Sequence, residues 1–149
     1  MSEKIKSFFE QKLLIGQENE LHAIELATAV LMIAMIHMDD DVSDSEHDAV
    51  FQTLKTQFDL DEQHTQELYT LAESELKHTT DYSPFTNLIN QHISYKNKLR
   101  MIKLLWQIAY SDRQLHRDEA YFAQKIGDLL EVSQEDFDFC RDQVRNEVL

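Results

Sequence analysis

The sequence predicts an all-α fold: a single domain, residues 1–149, built as a bundle of about seven to eight helices with a pseudo-symmetric internal duplication. Only 2 Gly and 1 Pro occur in the 149 residues, and this composition favours long helices. Apolar residues recur at helical spacing, and no stretch alternates with period two for long enough to predict a strand. An acidic turn also recurs 73 residues later.

Two helices are predicted before the first acidic turn. Ile5, Phe8 and Leu13 share one face of a short helix that Gly16 is expected to end. The next helix, from about Glu18 to Met38, is apolar nearly all round in its second half. A helix of that kind is typically surrounded by neighbours, so we expect it to lie at the centre of the bundle.

Three start signals follow, each at a polar residue. Ser43 and Glu46 have the spacing of a capping box, and Asp61 is expected to cap the next helix. Ser83 followed by Pro84 predicts a further helix, with the serine at the cap and the proline at the first helical position.

The last three predicted helices repeat the order of the first half. One, from about Tyr95 to Tyr110, is expected to be the second central helix, and the one after it carries Phe122 and Ile126 on its apolar face. Ser133 is expected to cap the final helix. The two repeat units are predicted to span about 21–78 and 95–149.

Composition limits the classes of partner. The chain has 14 Lys+Arg against 28 Asp+Glu, a formal net charge of −14, so it should repel nucleic acid and anionic lipid. The longest apolar region, 26–38, is too short to cross a bilayer, and the N-terminus lacks the apolar run of a secretory signal. A single cysteine, Cys140, is expected to pack in the core. These features predict a cytoplasmic protein without a transmembrane segment.

The duplicated helix–Asp–loop–Glu–helix unit resembles the TerB-like family, known from tellurite-resistance proteins and the N-terminal domain of DjlA. The matching stretches are Met38-Asp39-Asp40 through Ser43-Asp44-Ser45-Glu46, and Ser111-Asp112-Arg113 through Asp118-Glu119. Asp40 and Arg113 stand where the family tends to have glycine. The resemblance implies an α-helical bundle, a link to stress or tellurite resistance, and divalent-metal binding as an expectation, with no established catalytic reaction.

The acidic turns are the predicted metal site. Six carboxylates and no lysine or arginine lie between residues 39 and 48, and hard cations such as Ca²⁺ or Mg²⁺ take oxygen ligands. The expected ligands are Asp39, Asp41, Glu46, Asp112 and Glu119. The alternative is structural: Glu46 completes the capping box with Ser43, and the other carboxylates face water.

Other chemistries find less support. The first acidic run lacks the glycine and the final glutamate of an EF-hand loop. Glu75 and His78 form a single Glu-x-x-His pair where a di-iron bundle needs two, and His37 is expected to be a hydrogen-bonded core residue. No nucleophile motif and no phosphate-binding glycine loop is present, so no enzymatic activity is predicted.

A basic cluster offers a second kind of surface. No acid occurs between Tyr82 and Ser111, where Lys96, Lys98, Arg100 and Lys103 lie. The cluster either faces the acidic half within the fold, forms an ordinary solvated face, or docks an acidic protein or a second copy arranged head to tail. The leading hypothesis is a non-enzymatic TerB-like helical module that acts in protein interaction or in sensing a divalent metal ion, in a stress or tellurite-resistance setting. A metal-free structural adaptor for a protein partner is the alternative, and a metallo-enzyme is the third reading.

Overall fold

The computed structural model describes residues 16–38, 42–111 and 116–148, with side chains from residue 22 onward. Within these residues the chain forms seven helices and no strand: α1 Gly16–Ile36, α2 Asp44–Gln57, α3 Glu62–Leu76, α4 Ser83–His92, α5 Tyr95–Ala109, α6 Arg117–Leu129 and α7 Gln134–Val148. The all-α prediction is confirmed. The helix predicted around Ile5 to Leu13 lies outside the described residues, and Gly16, expected to end it, is the first residue of α1.

Helix α1 is the centre of the bundle. Every residue from position 25 to position 36 is buried, and α2, α3, α4, α5 and α6 all pack against it. Removing a Leu, Ile or Met side chain from water contributes roughly 1.5–3 kcal/mol, so this largely apolar segment makes a substantial contribution to the hydrophobic driving force. The sequence prediction of a central helix is confirmed.

Helix α5, predicted as a second central helix, keeps one face in solvent. Ile102, Leu105 and Trp106 are buried against the rest of the bundle, whereas Arg100 and Gln107 are exposed. Its polar residues recur every three to four positions, and this spacing places them on one solvent-exposed face of the helix. The two repeat units therefore differ in how deeply their first helices are buried.

Most helix starts follow the predicted caps. The Ser43 side chain accepts a hydrogen bond from the backbone N–H of Glu46, the Asp61 carboxylate from that of His64, and the Ser133 hydroxyl from that of Asp136. Each bond satisfies one backbone donor that the first turn of a helix leaves without a partner.

The start of α4 differs from its prediction by one residue. Ser83 is the first helical residue rather than the cap, and Tyr82 occupies the cap position without a side-chain hydrogen bond. The Asp81 carboxylate accepts the Ser83 N–H at 3.0 Å and so supplies the missing acceptor from one position earlier. Hydrogen bonding from Ser83 lowers the pKa of Asp81 because it favours the charged carboxylate.

Helices α2 and α6, which correspond in the two predicted repeat units, end in the same way. Asp59 and Glu131, which lie 72 residues apart, both have positive φ, 51° and 61°. In each case the following residue donates its N–H back into the helix, from Leu60 to the Lys55 carbonyl and from Val132 to the Gly127 carbonyl. This is the Schellman pattern, which usually places glycine in the left-handed position. The same termination therefore occurs twice, with an acid at the strained position each time.

We predict that Glu131→Gly stabilises the protein by about 0.5–1 kcal/mol and raises Tm by about 1–4 °C, because a side chain in the left-handed region costs free energy that glycine avoids. Asp59→Gly should gain less, since aspartate tolerates this region. Thermal unfolding followed by circular dichroism measures both. The control, Glu135→Gly in the exposed first turn of α7, should destabilise by up to about 1 kcal/mol. A lower Tm for Glu131→Gly would contradict the assignment.

Helices α6 and α7 meet where Gly127 faces Phe137. A Cβ added at Gly127 would lie 2.7 Å from Phe137 Cδ1 and 2.9 Å from Cε1, closer than carbon atoms can approach. Phe137 is 2% exposed and also packs against Trp106, so its ring has little room to move. Glycine at this position is therefore required by packing.

We predict that Gly127→Ala destabilises the protein by about 1 kcal/mol, although the same change inside an ordinary helix stabilises by a similar amount. The physical reason is overpacking against the Phe137 ring. Urea unfolding of a double-mutant cycle with Phe137→Leu tests it, because the smaller side chain should make Gly127→Ala neutral or stabilising. An equal loss of stability in both backgrounds would show that the contact is not responsible.

Candidate functional site

The predicted metal ligands fall into two groups in the structure. Asp39, Asp41 and Asp112 lie outside the described residues, so the structure does not test whether they approach one another. Glu46 and Glu119 are described, and both are almost completely buried, with exposed fractions of 1% and 0%. Each stands in the first turn of the helix that follows an acidic turn, α2 and α6 respectively.

Glu46 belongs to a complete capping box. Its Oε1 accepts hydrogen bonds from the Ser43 N–H at 3.3 Å and from the Ser43 hydroxyl at 3.2 Å, while its own N–H donates to Ser43 Oγ at 3.1 Å. The other oxygen, Oε2, is buried and has no hydrogen-bond partner among the described residues. A buried acceptor left without a donor costs about 1–3 kcal/mol, more when charged. The capping role therefore accounts for one of the two carboxylate oxygens.

The second copy has the same glutamate and a different cap. Glu119 is also buried at the third position of its helix, but His116 occupies the cap position and makes no side-chain capping hydrogen bond. Asp118 and Glu119 both lie in the first turn of α6, where the helix dipole favours negative charge. The two turns thus share a buried carboxylate at a helix N-terminus and differ in how the helix begins.

A histidine–tyrosine contact lies beside the first turn, and no sequence pattern indicated it. His47 Nδ1 is hydrogen-bonded to the Tyr69 hydroxyl, which joins α2 to α3. Burial, and secondly the charge of Glu73, raises the pKa of the Tyr69 phenol. The His37 ring, with its centroid 6.2 Å from that of His47, completes an aromatic cluster. No sequence signal links residues 22 positions apart on different helices.

The prediction for His37 was wrong. Its place at the end of an apolar run predicts a buried, hydrogen-bonded residue, but its side chain is exposed. Helix α1 ends at Ile36, so His37 has already left the buried segment. Its backbone N–H still bonds to the Ile33 carbonyl at 3.2 Å, continuing the last helical turn.

Metal ligands are not gathered within the described part of the chain. In residues 16–38, 42–111 and 116–148, no group of three or more His, Cys, Asp or Glu side chains is close enough to hold a metal ion. Glu75, one half of the Glu-x-x-His pair, is buried, whereas His78 is exposed. A cation at the acidic turns would therefore need ligands from 39–41 or 112–115.

Cys140 and the basic cluster are also placed by the structure. Cys140 is 1% exposed, its thiol donates to the Leu99 carbonyl at 3.7 Å, and burial raises its pKa, so its predicted core role is confirmed.

The members of the basic cluster lie on different sides of α5: Lys98 is buried, whereas Lys96 and Arg100 are exposed.

Comparison with known proteins identifies the family. The family model described as tellurite resistance protein TerB matches residues 25–142, most of the chain and both acidic turns. No curated protein and no solved structure matches the chain. Among the described helices, none has the length and apolarity needed to cross a membrane. The extent of the match and the all-α fold lead to one conclusion: the chain belongs to the TerB family.

Proposed function

We propose that the protein is a non-enzymatic, cytoplasmic TerB-family module that binds a divalent cation, Ca²⁺ or Mg²⁺, at its acidic turns and acts as an ion sensor in a stress or tellurite-resistance setting. The observation that carries this proposal is Glu46 Oε2, a buried carboxylate oxygen without a hydrogen-bond donor among the described residues. A hard cation satisfies such an oxygen by direct coordination.

The surroundings of Glu46 support a cation rather than a second donor from the same helix. The N-terminal N–H groups of α2 are already engaged in part by Ser43, and the neighbouring Asp44 and Asp48 are exposed carboxylates. Asp39 and Asp41, only a few residues before Glu46, are the proposed further ligands in the first turn. Asp112 and Glu119 are their proposed counterparts in the second.

Binding would couple the ion to the fold. Glu46 is anchored in the first turn of α2, and α2 packs on α1, α3 and α5. A cation held between Glu46 and the preceding turn would fix the path by which the chain enters α2 after leaving α1. Ion binding would therefore be expected to stabilise the junction between the central helix and its first neighbour.

The alternative is a metal-free adaptor in which the acidic turns are structural and the function lies in protein contacts. In that case Glu46 serves α2 through its Oε1 alone. The nearly isosteric substitution Glu46→Gln distinguishes the two proposals. The amide side chain keeps a carbonyl acceptor for Ser43, but it loses the negative charge that a cation would need.

We predict that the order of stability of the wild type and Glu46→Gln reverses when the ion is added. In chelator the variant should be as stable as the wild type or more stable, since a buried charge is removed. At saturating Ca²⁺ or Mg²⁺ the wild type should become more stable by about 2–3 kcal/mol when the ion is near one hundred times its Kd, while the variant should respond weakly. Urea unfolding with and without ion measures both quantities.

Amide NMR titrations with Ca²⁺, Mg²⁺, Mn²⁺ and Zn²⁺ locate the ion. Saturable shifts should be confined to residues 39–48 and 112–119, and Asp39→Asn and Asp112→Asn should each abolish them in its own turn. Glu135→Gln, which removes one exposed charge from α7, is the matched control and should bind as the wild type does. Diffuse shifts that do not saturate would rule out the ion site and leave the adaptor.

A further inference from the structure

A cationic groove lies on the side of the bundle formed by α5, the end of α2 and α7. It has a volume of about 680 Å³, and Lys96, Arg100 and Lys103 line it together with the apolar side chains Leu104 and Phe139. No Asp or Glu lines it. In a chain with a net charge of −14, this concave surface concentrates positive charge.

The three groove cations have no acidic partner at ion-pair distance among the described residues. None of Lys96, Arg100 and Lys103 forms an ion pair there, whereas Lys55, Arg141 and Arg145 each do. An anion from outside can therefore reach these three cations without displacing a described acidic partner.

Their arrangement is linear. Lys96, Arg100, Lys103 and the exposed Gln107 follow one another at spacings of four, three and four residues, so they form a stripe along α5. At 1.5 Å per residue the stripe is about 16 Å long. Cations converging on one point would suit a single phosphate or carboxylate, whereas a row suits several negative charges spaced along a chain.

An apolar cavity of about 180 Å³ continues the groove inward. The two share Gln57, Asn97, Arg100 and Leu104, so they are contiguous. Besides these four shared residues, the inner cavity is lined by the apolar side chains Ile24, Phe58, Ile93 and Met101 and by Thr28.

Thr28 gives the inner cavity an unsatisfied polar group. It is 2% exposed, and its hydroxyl has no hydrogen-bond partner among the described residues. A buried hydroxyl in that state is normally paired with a protein group, a water or a ligand. The cavity has room for one inserted side chain, and Thr28 lies in its largely apolar wall.

We propose that this groove binds an acidic linear segment of a partner protein, with carboxylates along the α5 stripe and one apolar anchor residue in the inner cavity. The exposed Phe139, with 59% of its surface in solvent, would pack against the segment at the outer end. Aromatic side chains and buried anchor pockets supply most of the binding energy in such interfaces, while rim charges supply orientation and association rate.

Charge and length select this occupant over other polyanions. The three cations span seven residues of α5, about 10 Å, and a nucleic acid carries charge well beyond that length. Its continuation would run over a protein surface whose net charge is −14. A short acidic segment ends within the groove and avoids that repulsion. Neither Glu46 nor Glu119 lines the groove, so this proposal stands whether or not the acidic turns bind a cation.

Selection of a random peptide library displayed on phage tests the proposal. The wild type should enrich peptides in which several Asp or Glu surround an apolar residue. Fluorescence anisotropy with the labelled peptides should then show binding about tenfold weaker to Lys96→Gln/Arg100→Gln/Lys103→Gln. Versions with Asn and Gln in place of Asp and Glu should lose binding similarly.

The control removes the same charge elsewhere. Lys77→Gln/Arg117→Gln/Lys125→Gln changes three exposed cations outside the groove and should bind within about twofold of the wild type. Circular dichroism verifies that both triple variants remain folded. Selected peptides without acidic bias, or equal binding by the groove variant, would overturn the proposal. So would a dimer in sedimentation that the groove variant abolishes, since a second copy would then occupy the groove.

Discussion

The second half of α1 has no side in contact with solvent, and the rest of the structure depends on this constraint. Twelve consecutive residues, 25–36, are buried, so helices must pack around the whole circumference of that segment. Five of the other six described helices do so. The buried segment ends where α1 ends, and the first acidic turn follows soon after it in the sequence. The packing of these helices is therefore a consequence of one largely apolar segment.

The buried carboxylates follow from the same geometry. Because α2 packs against α1, one side of its first turn faces the interior, where Glu46 is buried, while Asp44 and Ser45 stay exposed. The favourable helix N-terminus and the capping hydrogen bonds make a carboxylate tolerable there. In the second unit Glu119 occupies the corresponding position, but without a serine cap. The two buried glutamates are thus alike in burial, and the helices that carry them differ in their side-chain caps.

Sequence patterns predicted local features well and tertiary ones less well. The caps at Ser43, Asp61 and Ser133 depend on bonds within a few residues, and they were identified correctly. His37 was wrong because burial ends with the helix, which hydropathy alone does not locate. The joining of the basic stripe to an apolar cavity depends on contacts between α1, α2 and α5, and no single segment encodes it. Whether the acidic turns assemble into a metal site stays a prediction, since Asp39, Asp41 and Asp112 lie outside the described residues.

The packing between the two predicted repeat units has a consequence for their independence. Each unit has apolar surface that the other covers: α1 packs on α5 and α6, and α2 packs on α5. Separating the units would expose that surface to water, so each unit depends on the other for much of its hydrophobic burial. The chain therefore gains its stability from the whole bundle rather than from two halves that fold alone.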